Sequence, residues 1–374
     1  MIARKDKELT MLEKATNEFS RKILFPNREE NDKFPFGPFF DTVLEKAYSV
    51  DFFHTLIPES LGGIGQGIPA LSVILESVCT EDSSLGGIIF TTAAALNLMI
   101  TAGRTTEIQT MTDQKTIKDM LIACPVFCNP SDIPELPEAK KSGDGYTLSG
   151  ALDYLTLGGL AKTALISAKI SGSPGFSYFL MDLESSAVIK SKPILSLGLR
   201  ACPSVDITMK NAPATLLGEE GNGESYFKTM SDRMHVAAAA MSLGIMKGSF
   251  REAFEYSKKR MQGGQAIIQW SELKMILSNM AIQVKVADML VTRACSALDS
   301  QETGWTDSAR ATALHVQSLA CDLTTDGVQA LGGVGYMKDF GQEKRFRDAK
   351  QIQALLGASP VKRLRFIDEM VERI

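Results

Sequence analysis

The feature that most constrains the fold of this chain is a change of residue pattern along its length. Apolar residues recur at helical intervals up to about residue 120 and again from about residue 222. Between them, residues 121–216 carry short β-type runs that Gly, Ser, Pro and Asp separate, as in an antiparallel sheet or barrel. The order helix, sheet, helix predicts an α+β fold with segregated domains. We expect an all-α domain at 1–120, a β-domain at 121–221 and a helical domain at 222–374.

Individual segments can be placed more closely. We expect a first helix over 11–24, breaks at Pro26 and across 35–38 where proline and glycine cluster, and a helix over 70–79. Strands are expected at 121–123, 146–148, 164–168, 178–181 and 205–209. The long C-terminal helices are expected near 223–262, 270–300, 307–332 and 346–373.

The composition restricts the class of protein. With 374 residues, 44% of them hydrophobic and 22% charged, the chain has the profile of an ordinary soluble globular protein. Its net charge of −4 gives no reason to expect nucleic acid as a partner. The cysteines have no CxxC spacing, which favours reduced thiols in a cytoplasmic protein over a disulfide framework or a metal site. They stand at positions 79, 124, 128, 202, 295 and 321.

One apolar stretch is long enough to cross a bilayer. No charged residue occurs between Ser83 and Gly103. Glycine, threonine and asparagine dilute its apolar character, so we interpret it as a helix buried inside the helical domain. No membrane span is expected.

The order of motifs near the C-terminus is specific. Gln329 and the glycines 332 and 333 precede Arg347-Asp348, and the run Leu355-Leu356-Gly357-Ala358 follows. This order resembles the C-terminal signature of the acyl-CoA dehydrogenase family, which usually reads Tyr-Glu-Gly-Thr in the last run. In that family the glutamate removes the α-proton of an acyl-CoA. Leu356 stands at its position here and cannot accept a proton, so the usual catalytic base is missing.

The resemblance covers nearly the whole chain and implies a fold and a cofactor. It implies an N-terminal helical domain, a middle antiparallel β-domain and a C-terminal four-helix bundle. FAD is held between the sheet and the bundle, partly by a neighbouring subunit. On the sheet side the implied cofactor residues are Phe127, Cys128, Ser131, Tyr154 and Thr156; on the helical side they are Arg260, Gln262, Gln329, Gly332 and Gly333.

Several of these residues keep the chemistry that a flavin dinucleotide requires. Tyr154 replaces a tryptophan of the family and still offers a flat ring. Arg260 can pair with the pyrophosphate, and the paired glycines allow close backbone approach. Gly263 stands where the family has a phenylalanine, so we expect a lost contact on the adenine side and weaker binding of FAD.

The resemblance also points to residues around the substrate. These are Ser131, Asp232, His235, Leu355 and Gly357. Some family members place their base on the first long C-terminal helix, but Met234 occupies that position here. Asp232 and His235 are three residues apart on one helical face and could share a hydrogen bond. His235 is then either a substitute base or a residue that only holds the ligand or the helix. No metal site is expected.

These observations predict an FAD-dependent oxidoreductase that acts on an acyl-CoA thioester with atypical or partner-dependent chemistry. Two alternatives are a non-catalytic subunit of a heteromeric acyl-CoA dehydrogenase and an acyl-CoA- or FAD-binding protein without turnover. The expected partners are an acyl-CoA, an electron-transferring flavoprotein or similar acceptor, and further subunits in a homotetramer or a heterotetramer with a paralogue.

Overall fold

A computed structural model describes residues 2–35, 39–114 and 116–373. The first part of the chain is helical, and its first helix runs into a π-helical turn that ends at Leu24 before Pro26. Of the break predicted across 35–38, residues 36–38 lie outside the described residues. The helices of this part are α1 (Ile2–Phe19), α2 (Arg28–Asn31), α3 (Phe39–Ser49), α4 (Gly67–Cys79), α5 (Ser83–Thr101), α6 (Thr105–Asp113) and α7 (Ile117–Met120).

The middle of the chain forms a twisted sheet. Its strands are β1 (Ile122–Ala123), β2 (Glu138–Ser142), β3 (Gly145–Thr156), β4 (Thr163–Ile170), β5 (Ser177–Asp182), β6 (Val188–Lys190) and β7 (Ser204–Leu217). The long strands β3 and β7 pair antiparallel, and so do β4 with β5 and β5 with β7. The sheet is not antiparallel throughout, because β4 pairs parallel with both β1 and β2. Strands β2 and β6 were not expected from the sequence, since both are largely exposed and carry little apolar pattern.

The last part of the chain is a bundle built around one long helix. This helix, α8 (Gly223–Lys259), packs against α4 and α5 and against two further long helices. Four consecutive alanines, 237–240, are fully buried on α8 and let its neighbours approach closely. The remaining elements are the hairpin β8 (Met261–Gln262) and β9 (Gln265–Ala266), and the helices α9 (Ser271–Asp299), α10 (Trp305–Leu331), α11 (Gln342–Ile352) and α12 (Ser359–Val371).

The expectation of one helix over 346–373 is wrong. The chain forms α11 and α12 instead, and residues 353–358 connect them. Leu356 takes a left-handed conformation with φ 63°, and the φ of Gly357 is 122°, so the helix cannot continue. Pro360 then lies in the first turn of α12, where its missing N–H costs nothing. The break therefore falls at Leu356, the residue predicted to stand in place of the family's base.

Among the described residues, two helices are long and apolar enough to cross a membrane by length and composition, α5 and α9. Of the apolar window of α5, 89% is buried inside the protein, so the interpretation of this stretch as a core helix is confirmed. For α9 only 22% of the window is buried, which leaves one apolar face of that helix uncovered in a single chain. The α+β order of helical, sheet and helical parts is confirmed as a whole.

Candidate active site

A small cavity lies beside the position of the missing base. Its volume is about 140 Å³, and it is enclosed by α8, α10, α12 and the loop before β2. Its inner end is formed by the buried Leu356, His235 and Ser231, and its rim carries charged side chains. The charged lining residues are Glu224, Lys228, Arg310, Lys362, Arg365 and Glu369.

The backbone around Leu356 fixes this wall of the cavity. The N–H group of Leu356 donates a hydrogen bond to the carbonyl of Val126, at 2.7 Å, and so joins the 353–358 segment to the loop after β1. The side chain of Leu356 is only 3% exposed and lines the cavity. Leu355 is buried outside the cavity lining, and Gly357 lies close to Asn129 at its edge. The side chain of Leu356 therefore presents no proton-accepting atom to the cavity, and its correspondence to the family's base stays a prediction.

The expected hydrogen bond between Asp232 and His235 is not formed. Instead, Oδ1 of Asp232 accepts two charge-assisted hydrogen bonds from Arg310 on α10, from Nε at 2.8 Å and from Nη2 at 2.6 Å. His235 bonds through Nδ1 to the carbonyl of Ser231, four residues earlier on α8, at 2.5 Å. A carbonyl only accepts, so Nδ1 carries the hydrogen and Nε2 has the free lone pair.

His235 is a weak base in this environment. Burial, followed by the charge of the nearby Lys362, lowers the pKa of His235 to about 3. The imidazole is therefore neutral over the physiological range and has little tendency to accept a proton. These facts favour the interpretation in which His235 only holds a ligand or the helix.

Lys362 was not predicted as a site residue. It lines the same cavity as Leu356 and His235, and it is 8% exposed. Its Nζ donates to the carbonyl of Leu355 at 2.7 Å, to the carbonyl of Gln353 at 3.2 Å and to Oε1 of Gln317 at 3.4 Å. Burial and the adjacent Arg363 lower the pKa of Lys362 to about 8. An ionisable amine thus bonds to Leu355, the residue directly before Leu356.

Three of the five residues predicted to hold the cofactor on the sheet side line a separate groove of about 920 Å³. Phe127, Cys128 and Tyr154 belong to it, and the rings of Phe127 and Tyr154 meet edge to face at 5.5 Å. A bulge in β3 turns Tyr154 to a φ of 56°. The Tyr154 hydroxyl accepts a hydrogen bond from Nε2 of Gln351 at 2.8 Å and bonds to Ser196, which fixes the ring between the sheet and α11.

Two predicted sheet-side residues lie outside the lining of this groove. Ser131 is exposed on a short turn between Asn129, which faces the small cavity, and Asp132, which faces the groove. Thr156 is fully buried, and its carbonyl accepts a hydrogen bond from the N–H of Cys124. Their roles toward the cofactor stay predictions.

The helical-side cofactor residues come together in a third groove of about 510 Å³. All five line it, namely Arg260, Gln262, Gln329, Gly332 and Gly333. A side chain atom at Gly332 would meet nothing within 4 Å, so the backbone here is open to a ligand. These residues are far apart in sequence and meet because the β8–β9 hairpin lies beside the end of α10.

An aromatic ring also lines this groove, although the family's phenylalanine is replaced by Gly263. Both Gly263 and Gly264 have positive φ, 61° and 83°, as the two-residue turn of the hairpin requires. A Cβ at Gly263 would lie 2.9 Å from Cζ2 of Trp270, which shows that the indole packs against this turn. Trp270 is 45% exposed and lines the groove, so it offers the flat surface that the sequence suggested was lost.

The cysteines have the properties of buried structural residues. All six cysteines are free, and burial raises the pKa of Cys124 above its ordinary value and that of Cys128 to about 11. Such thiols are poor nucleophiles. Within the described ranges no group of three or more His, Cys, Asp or Glu side chains could hold a metal ion.

The fold and these sites define an acyl-CoA dehydrogenase family member. Residues 6–111 match the profile of the acyl-CoA dehydrogenase N-terminal domain, and residues 221–371 match that of the C-terminal domain. The chain belongs to this family.

Individual relatives agree with the family assignment. The chain is 26% identical over 371 residues to the caffeyl-CoA reductase–Etf complex subunit CarC of Acetobacterium woodii, covering 95% of this chain and 96% of that protein. It is 32% identical over 228 residues to a short-chain acyl-CoA dehydrogenase of Clostridium acetobutylicum, covering 59% and 60%. Its fold matches butyryl-CoA dehydrogenase of Megasphaera elsdenii with a TM-score of 0.87 at 21% identity, over 97% of this chain and 98% of that one.

The cofactor of this family is FAD, and the residues present fit it. The helical groove offers a guanidinium for a pyrophosphate, amides, open glycine backbone and the Trp270 ring. The sheet groove offers the ring of Tyr154. The two grooves share no lining residue, so the two sets of residues do not enclose a single cofactor site within one chain.

Proposed function

We propose that this protein is an FAD-dependent oxidoreductase of acyl-CoA thioesters that is poor at oxidising simple saturated substrates. The observation that supports it most directly is the wall of the small cavity at Leu356. The side chain that projects there is apolar, and the His235 imidazole at the same end is a weak base. General-base help accelerates such reactions by about 10²–10⁴-fold, so its loss costs most of the oxidation rate.

Reduction of an α,β-unsaturated thioester is the direction that we propose, on the strength of the relatives. The absence of a carboxylate at position 356 does not by itself choose the direction, because the base that removes the α-proton in oxidation is, once protonated, the acid that delivers it in reduction. The relatives include the caffeyl-CoA reductase subunit CarC as well as dehydrogenases. An electron-transferring flavoprotein is the partner that we propose for exchange of electrons in the cytoplasm.

The test uses the whole purified chain reconstituted with FAD. We expect a yellow protein that is oxidised by an enoyl-CoA after chemical reduction, and that is bleached only slowly by a saturated acyl-CoA. The Leu356→Glu variant should bleach with butyryl-CoA about 10²–10⁴-fold faster than wild type. Leu356→Gln is the matched control, because it has the same shape and cannot accept the proton. Rapid bleaching of wild type by butyryl-CoA would contradict the proposal.

The same reconstitution measures the contribution of Trp270 to the binding of FAD. Stacking of a base on an aromatic ring is worth about 1–3 kcal/mol, so Trp270→Ala should weaken FAD binding roughly ten-fold. Trp305→Ala is the control, since Trp305 does not line the groove. A Gly263→Phe variant is not a useful test of this contact, because the positive φ of Gly263 and its packing against Trp270 would strain the phenylalanine.

A second candidate function is the non-catalytic subunit of a heteromer. It is favoured by the separation of the two cofactor grooves and by the apolar surface left uncovered on α9 and α12. The exposed apolar residues there are Met275, Ile282, Val286, Met289, Leu364, Ile367, Met370 and Val371. Light scattering of the chain alone separates the candidates. A flavin-loaded tetramer supports a homomeric enzyme, whereas a flavin-free monomer or dimer that gains flavin with a Glu-bearing paralogue supports the heteromer.

A further inference from the structure

Most charged side chains around the small cavity have an ionic partner; the exceptions among the described residues are Glu224, which is exposed, and Lys362, which is buried. Lys228 and Arg310 both pair with Asp232, and Arg365 pairs with Asp132. Among the residues that the structure describes, Lys362 has no carboxylate partner and bonds only to neutral oxygens. A buried ammonium without an opposite charge is costly, because desolvation opposes the charged form.

We propose that Lys362 is the proton-transfer group of this site and takes the role that Leu356 cannot fill. The inference rests on the proposed acyl-CoA oxidoreductase function. Lys362 lines the cavity that Leu356 closes, and it is anchored on the carbonyl of Leu355, directly before the missing base. It therefore approaches the same ligand atoms from the start of α12 rather than from the 353–358 segment.

The contacts of Lys362 suit a group that gains and loses a proton. Three oxygens surround its Nζ, and the bond to Gln317 is the longest at 3.4 Å. A neutral amine has two hydrogens, which still satisfy the carbonyls of Gln353 and Leu355. Loss of the third proton therefore gives up only the longest of the three bonds, the one to Oε1 of Gln317. No carboxylate among the described residues holds the proton in place.

The neighbouring charges also favour release of the proton. The group closest in sequence is Arg363, whose charge adds to the effect of burial. The charged and titratable side chains that face the cavity with Lys362 are Glu224, Lys228 and His235 from α8, Arg310 from α10, and Arg365 and Glu369 from α12. The carboxylates on this side are at the rim, where Glu369 pairs with Arg310. With a pKa of about 8, Lys362 is mostly protonated at pH 7 and can act as an acid.

The reductive step is balanced as follows. The hydride equivalent for the new C–H bond at the β-carbon of an enoyl thioester would come from reduced FAD, which Tyr154 and Arg260 would help to hold. The π electrons of the C=C bond move to the thioester as an enolate. The N–H bond of the Lys362 ammonium then breaks, a C–H bond forms at the α-carbon, and solvent returns a proton to the amine. In the oxidative direction the neutral amine would accept the α-proton, which requires a pH above about 8.

The first experiment measures the proton on Lys362 without turnover. The full-length protein is labelled with ¹³C-lysine, and the Lys362 signal is assigned by its loss in Lys362→Arg. We expect a titration midpoint near 8 and a change in the signal when butyryl-CoA binds. A midpoint near the ordinary lysine value of about 10.4 would overturn the proposal. If calorimetry shows that butyryl-CoA binds but the Lys362 signal does not change, the role of Lys362 is overturned and the proposed function stands. If no acyl-CoA binds, the proposed function fails, and the role of Lys362 fails with it.

The second experiment is the pH dependence of enoyl-CoA reduction by the reconstituted protein. We expect the wild-type rate to fall about ten-fold per pH unit above pH 8, as the ammonium is lost. Lys362→Met should lose about 10²–10⁴-fold in rate. Lys362→Arg keeps the charge but does not release its proton at these pH values, so it should be almost as slow. An arginine variant with the wild-type rate and no pH dependence would show that only the charge matters, which contradicts proton transfer.

Discussion

Two buried lysines of the C-terminal signature, Lys344 on α11 and Lys362 on α12, have opposite environments. Lys344 binds Asp348 at 2.7 Å and Asp82 at 3.1 Å, so that its charge is compensated twice. Lys362 is surrounded by neutral oxygens only. Burial alone would lower both pKa values, but the two carboxylates raise the pKa of Lys344 above its ordinary value, whereas that of Lys362 falls to about 8.

The difference separates a structural lysine from a lysine that can exchange its proton. Around α11, Arg347 also binds Asp32 and Glu343, and the Asp348 carboxylate accepts the N–H of Leu199. These contacts connect α11 to the N-terminal part and to the sheet, so this half of the signature holds the three parts together. The half that follows, from Leu355 to Lys362, contributes Leu356 and Lys362 to the wall of the small cavity.

The largest expected effect on stability is at Lys344. Lys344→Met leaves the Asp82 and Asp348 carboxylates buried without a cation, and removal of one partner of a buried pair costs about 3–5 kcal/mol. We expect this loss in the free energy of unfolding, measured by denaturant titration at pH 7. The matched control is Lys350→Met on the exposed side of the same helix, which should change stability by less than about 0.5 kcal/mol. Equal effects of the two variants would remove the basis of the comparison.

The pH dependence of stability gives the next largest effect. A lysine with a lowered pKa in the folded state loses its proton before the unfolded chain does, so stability rises with pH between the two values. For Lys362 this window extends from about 8 to the ordinary value of 10.5, and the change is of order 3 kcal/mol. Wild type should therefore gain stability relative to Lys362→Met between pH 7 and pH 10, in denaturant titrations made at each pH.

Lys344 should show no such rise. Its pKa is raised in the folded state, so its stabilising contribution is fully present below the unfolded value and is lost only at higher pH. The difference between wild type and Lys344→Met should consequently stay constant between pH 7 and pH 9. A parallel pH profile for the two lysine variants would contradict the assignment of opposite environments.

The sequence predicted the half of the signature around α11 better than the half from Leu355 to Lys362. The order Arg347-Asp348 followed by Leu356-Gly357 resembles the family's signature and predicts that Leu356 takes the place of the family's base, and the close spacing along the chain sets that register. Nothing in the sequence indicated that Lys362 is a site residue, because Arg363 and Arg365 are basic residues beside it. Only the packing of α12 decides which of the three is buried.

The apolar pattern of α12 predicts the opposite of the orientation that this helix has in the structure. Leu364, Ile367 and Met370 would be expected to face the core, yet they are exposed and Lys362 is buried. The chain break at Leu356 was likewise missed, because a left-handed leucine has no local signal in the sequence. Similarly, Trp270 and Gly263 are seven residues apart, and their contact depends on the hairpin that folds one onto the other.

The smallest expected effect tests whether one carboxylate suffices to make Lys362 resemble Lys344. Gln317 presents Oε1 to Lys362 and donates through Nε2 to the carbonyl of Ile352 at 3.0 Å. Gln317→Glu keeps the shape, places an anion beside the ammonium and loses the bond to Ile352. Because the gain and the loss oppose each other, stability at pH 7 should change by less than about 1 kcal/mol.

The pKa of Lys362, in contrast, should rise toward its ordinary value in Gln317→Glu, and the stability gain between pH 7 and pH 10 should shrink. Enoyl-CoA reduction should then continue to higher pH than in wild type, since the ammonium persists. Gln317→Leu is the control that removes the oxygen without adding charge, and it should leave the pH profile near that of wild type. If Gln317→Glu left the Lys362 titration unchanged, the absence of a counter-ion would not be what lowers its pKa, and burial alone would have to explain the contrast with Lys344.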